Sequence, residues 1–349
     1  MKSSITFALA ATAATSFALP AAVVSSNPIP GQTSLYNSYR GKVPPYPGSE
    51  TRPILATSKA DPGPDDLLFQ NLLSAEWIVF SFYQQGVEAF NSSSFIELGY
   101  PNTTYDRIQE IRDNEAGHLN IFQREISDAS IKPGPCKYDY GFTSPIEFLA
   151  LQVLIEVSSM SFLTGLVQEA RTNASRAALL AIATVESRHN AWALIDIWNE
   201  DPFAGPSDTV YPSANQILDL TNQFVVNGSC PAENPPYPSP NQHLPRLDFN
   251  RTLSTGHPGS SIEFVFPAVQ PSFGDYKDYY AVYFHGLYNI TTAFDPKNGI
   301  STVPKAFDAG KGIILAVIAS EPGAPTPDTV VAGPLVLLQQ PGELTQSDG

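Results

Sequence analysis

Charge is scarce in this chain of 349 residues, and positive charge is scarcest: 19 Lys and Arg stand against 34 Asp and Glu, for a net charge of −15. Charged residues make up 15% of the chain, where about 25% is usual. With so few cations there is no basic face, which argues against nucleic acid or anionic lipid as a partner. Cysteine is nearly absent, with only Cys136 and Cys230, so a four-cysteine metal site is excluded. Beyond residue 24 the most apolar stretches carry Glu, Gln and Asn inside them, so no later membrane span is expected. Proline, plentiful overall at 32, is missing from one region: 1–66 holds nine, 201–349 holds nineteen, and 67–200 only four (Pro101, Pro133, Pro135, Pro145). Proline breaks helices, so long helices belong in the middle, with loops and strands after it.

What is present begins with an address. Met1-Lys2-Ser3-Ser4 precedes an apolar stretch ending near Val24, with small residues at Ser16 and Ala18. This pattern reads as a secretory signal peptide over 1–22, followed by an extended proline-rich segment, 23–63. Six Asn-x-Ser/Thr sequons follow, at Asn91, Asn102, Asn173, Asn227, Asn250 and Asn289. None falls in an expected helix interior, which suits a glycosylated protein outside the cell or in its wall. In an oxidising compartment a Cys136–Cys230 disulfide is the simple reading; two free buried thiols are the alternative.

The middle reads as helices. Apolar residues at Leu68, Leu72, Leu73, Val79, Phe80 and Tyr83 recur near a 3.6-residue period, predicting a helix over 64–93 with Asp65 and Asp66 in its first turn. A second is expected over 104–127. A third starts at Ser144-Pro145-Ile146-Glu147, a capping box with proline at the first helical position, and runs to about 170. A fourth spans about 174–199 and a shorter fifth about 213–226. The expected architecture is mainly α: a four-helix bundle plus a short fifth helix within 64–230.

Inside this region the few charges are informative. Glu76 is the single charge in 67–87, Glu156 in 148–168, and Glu186 in 177–187. A lone carboxylate on an apolar helix is costly unless paired or bound to metal. The second helix supplies Glu115 and His118, the fourth Glu186 and His189, both as Glu-x-x-His, so each pair projects from one face. His243, His257 and His285 have no such glutamate. The chain order is therefore Glu, Glu-x-x-His, Glu, Glu-x-x-His, the ligand pattern of carboxylate-bridged dinuclear sites in helical bundles. Four glutamates balance two divalent cations, and one imidazole serves each. An oxygen-rich set without thiolate suits two Fe or Mn ions. A weak internal echo, Ser81-Phe82 after Glu76 and Ser161-Phe162 after Glu156, agrees with two related helix pairs.

These residues also carry a resemblance. Leu72-Leu73-Ser74-Ala75-Glu76-Trp77 and Phe82-Tyr83-Gln84-Gln85-Gly86 resemble the first helix of fungal secreted ferritin-like proteins, the late sexual development and rds-type stress-response group, with desiccation-related proteins as distant relatives. The likeness continues through Glu115 to His118, Leu154-Ile155-Glu156 and Val185-Glu186-Ser187-Arg188-His189, and more softly through Thr329 to Pro334. It implies a ferritin-like bundle in which Glu76, Glu115, His118, Glu156, Glu186 and His189 are the six metal ligands. That family's chemistry is poorly defined, so the resemblance narrows the fold more than the reaction.

A Pro-, Asn- and Ser-rich stretch, 231–248, reads as a linker. Beyond it, β-rich runs at 262–266, 279–284, 288–294, 313–318 and 329–338, separated by turn residues, predict a small C-terminal β-sandwich over 249–349. Tyr276, Tyr279, Tyr280, Tyr283 and Tyr288 cluster there; packing is the favoured reading over a sugar-stacking surface, and His285 beside them reads as structural. Tyr83, two turns after Glu76 on the same face, either lines the site or serves packing, and packing is the favoured reading. The functional expectation is a di-metal oxidoreductase, catalase-like or ferroxidase-like, with O2 or hydrogen peroxide as substrate. The alternative is a non-enzymatic wall or matrix protein that uses the bundle as a scaffold.

Overall fold

The structure, a computed structural model, describes residues 52–203, 209–274, 277–307, 312–341 and 344. The expected signal peptide 1–22, most of the segment 23–63, and Tyr276 lie outside the described residues. The helices are α1 Asp66–Ala89, α2 Ser92–Ile96, α3 Thr104–Glu125, α4 Pro145–Leu166, α5 Asn173–Trp192 and α6 Ala214–Leu220. A π-helical turn, Ala193–Ile197, extends α5, and a 3-10 turn, Thr221–Phe224, extends α6. The long helices α1, α3, α4 and α5 make the four-helix bundle, with α1 packed on α3 and α4 on α5. Gly86 lets α1 meet α4 closely: a Cβ there would lie 2.2 Å from the Phe148 ring.

Local chemistry fixes the helix ends. Ser144 caps α4 by accepting from the Glu147 N–H, while the Glu147 carboxylate accepts from the Ser144 N–H at 3.2 Å. Asn91 caps the short α2, accepting from the Ser94 N–H at 3.1 Å. Asp65 and Asp66 do more than favour the α1 dipole. Asp66 accepts from the Gly63 N–H, from the N–H and hydroxyl of Ser127 just past α3, and from the Ser130 hydroxyl, at 2.5–2.9 Å. Asp65 accepts from the N–H groups of Arg171 and Thr172, between α4 and α5, at 2.8 and 3.0 Å. Two adjacent carboxylates thus tie the start of α1 to the other end-loops of the bundle. Burial works against both charges, but these donors outweigh it and hold both carboxyls below the usual range.

The strands form two antiparallel sheets. One has the order β1-β2-β5, with β1 Asp248–Phe249, β2 Ser261–Val265 and β5 Ile300–Thr302; the other has β4-β3-β6-β7, with β3 Tyr279–His285, β4 Tyr288–Phe294, β6 Ile313–Ala319 and β7 Val330–Leu338. The four-stranded sheet is the middle layer. Along β6, Ile313, Leu315, Val317 and Ala319 join the helical core, while Ile314, Ala316 and Ile318 join the core between the sheets. This two-sided burial explains why β6 is one unbroken apolar run. Tyr279 and Tyr283 also lie in the inter-sheet core, whereas Tyr288 is 78% exposed. His285 is buried, its Nδ1 2.7 Å from the Ile313 carbonyl.

Three short elements, α2, β1 and β5, were not legible as periodic patterns. The stretch 231–248 lies against the bundle: Asn234 exchanges hydrogen bonds with both backbone groups of Gly134, and Asn71 does the same with Ser239. Cys136 and Cys230 are joined in a disulfide linking the segment before α4 to the one after α6.

Asp66→Ala is expected to destabilise the protein by roughly 2–3 kcal/mol, because it strands several donors that meet one charged acceptor. Urea denaturation would read this as a lower midpoint with an unchanged slope.

Candidate metal centre

Each bundle helix delivers its carboxylate inward because the rest of that face is apolar. Glu76 comes from α1, Glu115 and His118 from α3, Glu156 from α4, and Glu186 and His189 from α5. All six are buried, at 0–6% exposure. They meet in one cluster with internal two-fold character. The His118 Nδ1 lies 2.8 Å from Glu115 Oε2, 3.4 Å from Glu186 Oε1 and 3.5 Å from Glu76 Oε1. The His189 Nδ1 lies 3.1 Å from Glu115 Oε1, 3.7 Å from Glu186 Oε2 and 3.5 Å from Glu156 Oε2. Glu115 and Glu186 therefore face both imidazoles, one oxygen to each, while Glu76 faces only His118 and Glu156 only His189.

The donor set fits a pair of cations. Glu76, Glu115, His118 and Glu186 each offer a ligand atom within 4.8 Å of the others, and so do Glu115, Glu156, Glu186 and His189. Glu76 Oε1, Glu115 Oε1, Glu156 Oε2, Glu186 Oε2 and His189 Nδ1 are buried without a well-aligned hydrogen bond among the described residues. Buried polar atoms are rarely left so. Five of them within one cluster are compatible with a metal site. Oxygen and imidazole donors without thiolate suit Fe or Mn.

Without metal, protons must balance the same charges. Burial and the charge of Glu115 raise the Glu76 carboxyl well above the carboxylate range; burial and Glu186 do the same to Glu156. Burial and the neighbouring Glu186 charge would also raise Glu115, but hydrogen bonds and charge from the imidazoles win and lower it. Glu186 is held down in the same way. Burial alone would lower both histidines, yet the carboxylates around them raise His118 and His189 well above 6.5. The raised imidazoles and the raised carboxyls both favour protonation, which offsets the negative charge of the cluster.

Tyr83 is part of the centre, as its spacing from Glu76 allowed, rather than in the favoured packing role. Its hydroxyl donates to Glu156 Oε1, leaving Oε2 to face His189. Burial and the Glu156 charge push its pKa well above 10, so it stays a donor. Seven residues after Glu156 stands Leu163, which cannot repeat the contact for Glu76. Sequence reading also passed over Arg112, one turn before Glu115 and fully buried, which donates to Gln84 Oε1 at 3.0 Å and to Asp113 at 2.7 Å. The available signal was its i, i+3 spacing to Glu115.

The four antiparallel helices and the doubled Glu, Glu-x-x-His set define a class, and residues 65–195, which hold all six residues, match the family model described as a ferritin-like domain. The bundle has the ferritin-like fold. The chain is also similar to Protein rds1 of Schizosaccharomyces pombe, at 24% identity over 245 residues, 61% of this chain. The match spans about three fifths (60%) of that relative's length. The resemblance to rds-type ferritin-like proteins, first read from helix motifs, is thus found in comparisons of the whole sequence.

Two outcomes are expected. Groups with raised pKa values in the folded state stabilise it at low pH and lose that contribution as pH rises through those values. For His118 and His189 the loss begins near pH 6.5. The chelator-treated protein should therefore melt at progressively lower temperature as pH rises above about 6.5, while Mn(II) flattens the profile; parallel profiles would count against the site. Tyr83→Phe should weaken Mn(II) affinity by about 10–100-fold, as loss of an orienting partner does, measured by competition with a chelating dye.

Proposed function

We propose that this protein is a secreted di-metal oxidoreductase that holds two iron or manganese ions and acts on O2 or hydrogen peroxide. The observation that carries the reading is the doubled half-site: one imidazole and one private carboxylate on each side, with Glu115 and Glu186 facing both. His118 and His189 would each give a nitrogen to one ion. Glu115 and Glu186 would hold the ions together, and Glu76 and Glu156 would complete them. The metal pair supplies redox chemistry that no side chain here can supply alone. The chain's own groups do the rest. Tyr83 fixes the free oxygen of Glu156, and the apolar faces around the centre exclude bulk water, which strengthens the field of every charge inside. A centre with 0–6% exposure favours a substrate of two heavy atoms over anything larger.

The expectation of secretion draws support from two features. Asn91, Asn102, Asn173, Asn227 and Asn289 are exposed and Asn250 is half-buried, so the sequons lie within reach of a glycosylating enzyme. The Cys136–Cys230 disulfide suits an oxidising compartment. Within this reading, peroxide removal fits the stress association of the rds-type group slightly better than metal oxidation does.

Elemental analysis of protein taken from a fungal secretory route is the test. About two Fe or Mn per chain are expected, as in dinuclear bundles, and Glu115→Ala/His118→Ala should lose them together with peroxide consumption. A metal-free protein of equal stability would instead assign it to the scaffold role in the wall or matrix.

A further inference from the structure

Among the described residues, the seam between the bundle and the sandwich is not filled. A cavity of about 190 Å3 lies there, walled by α1, α4, α6 and β7. A second hollow of about 380 Å3 adjoins it and shares Leu154, Arg251 and Val336 with it. Together they form a trough along α4.

The trough explains an oddity of α4. Of the described helices it is the one long and apolar enough to cross a membrane, yet it belongs to a bundle. Its inner face carries Gln152, Val153, Glu156, Met160 and Leu163, all buried. A second stripe, Leu151, Leu154, Ile155 and Ser158, at i, i+3, i+4 and i+7, is only half-buried. These residues line the trough. A helix that is apolar all round is ordinarily covered all round, and an apolar wall facing open space costs stability in proportion to that space.

The rim supplies a charge. Arg246 and Arg251 both border the cavity, in a chain with 19 cationic residues in all. Arg251 is committed: it lies 4.6 Å above the Phe249 ring and 3.3 Å from Asp248. Arg246 is exposed and makes no ion pair among the described residues. A long apolar channel with one uncommitted guanidinium at its edge is complementary to a linear hydrocarbon bearing a single carboxylate.

We propose that the trough between α4 and β7 binds a long-chain carboxylic acid, with the carboxylate on Arg246 and the chain along Leu154 and Ile155. This site is distinct from the metal centre and does not depend on it. None of the six centre residues lines it, although it borders the same helices: Ala75 and Val79 in the cavity wall are near neighbours of Glu76, and Ile155 and Ser159 of Glu156.

The test is a titration of the intact secreted protein with a fluorescent polyene fatty acid, followed by displacement with palmitate and with hexadecanol. Saturable binding of one probe per chain is expected, with palmitate displacing it at least tenfold better than hexadecanol. Arg246→Glu should weaken palmitate at least tenfold, and Leu154→Trp, which fills the trough, should abolish binding. Ser158→Phe fills the same space from the next turn, so a folding defect in one variant does not decide the outcome; unchanged circular dichroism confirms each fold. No saturable binding to the wild type overturns the proposal. So does equal displacement by the alcohol, or binding indifferent to both filling variants. A dimer that dissociates in Leu154→Trp without any fatty-acid binding overturns it too, assigning the trough to a second copy of the chain.

Discussion

Four carboxylates packed into one layer of a helical bundle repel one another, and burial makes each charge costlier. Much else in the helical half of this protein answers that constraint. The imidazoles of His118 and His189 sit between the carboxylates, and the charge is balanced either by protons shared among six groups or by two cations. The surrounding faces can be apolar because the charge is settled locally. Glu76 and Glu156 stand alone in long uncharged stretches for the same reason: a further buried charge would need a partner that the layer does not offer. Tyr83 adds a donor where Glu156 has an oxygen to spare.

Holding six groups within a few ångströms demands helices that do not slide. Asp65 and Asp66 meet that demand at one end, gathering donors from the ends of α3 and α4 and from the start of α5 onto the first turn of α1. The disulfide between the segments flanking α4 and α6 restrains the chain from outside the bundle. The sandwich adds a third layer, and its inner sheet is apolar on both faces because helices cover one and strands the other. Where α4 meets β7 the layers part, leaving the trough that the helix's second apolar stripe faces.

Much of this was legible in the residues themselves. The Glu-x-x-His pairs announce their geometry, since residues three apart on a helix share a face whatever the helix packs against. The capping box at Ser144 marks the start of α4 for an equally local reason. For Tyr83 only the face was legible: its partner Glu156 is 73 residues away, and nothing in the spacing from Glu76 points across the bundle. The same holds for Asp66, read as a dipole residue, whose donors at Ser127 and Ser130 lie more than 60 residues on. The short α2, β1 and β5 carry too few residues for a period to show; capping forms the first, and pairing with β2 forms the other two.

By itself, then, the order of residues determined which side chains could be ligands, which helices would carry them, and that the region after about residue 248 would be strands. Those properties follow from periodicity, capping and the cost of isolated charge, all of which act within a few turns of chain. Tertiary structure alone decided that Glu115 and Glu186 face both imidazoles while Glu76 and Glu156 face one each, that Tyr83 meets Glu156, and that a trough opens beside α4. Those depend on how antiparallel helices register against one another and against a sheet, and that is set by packing across the whole core.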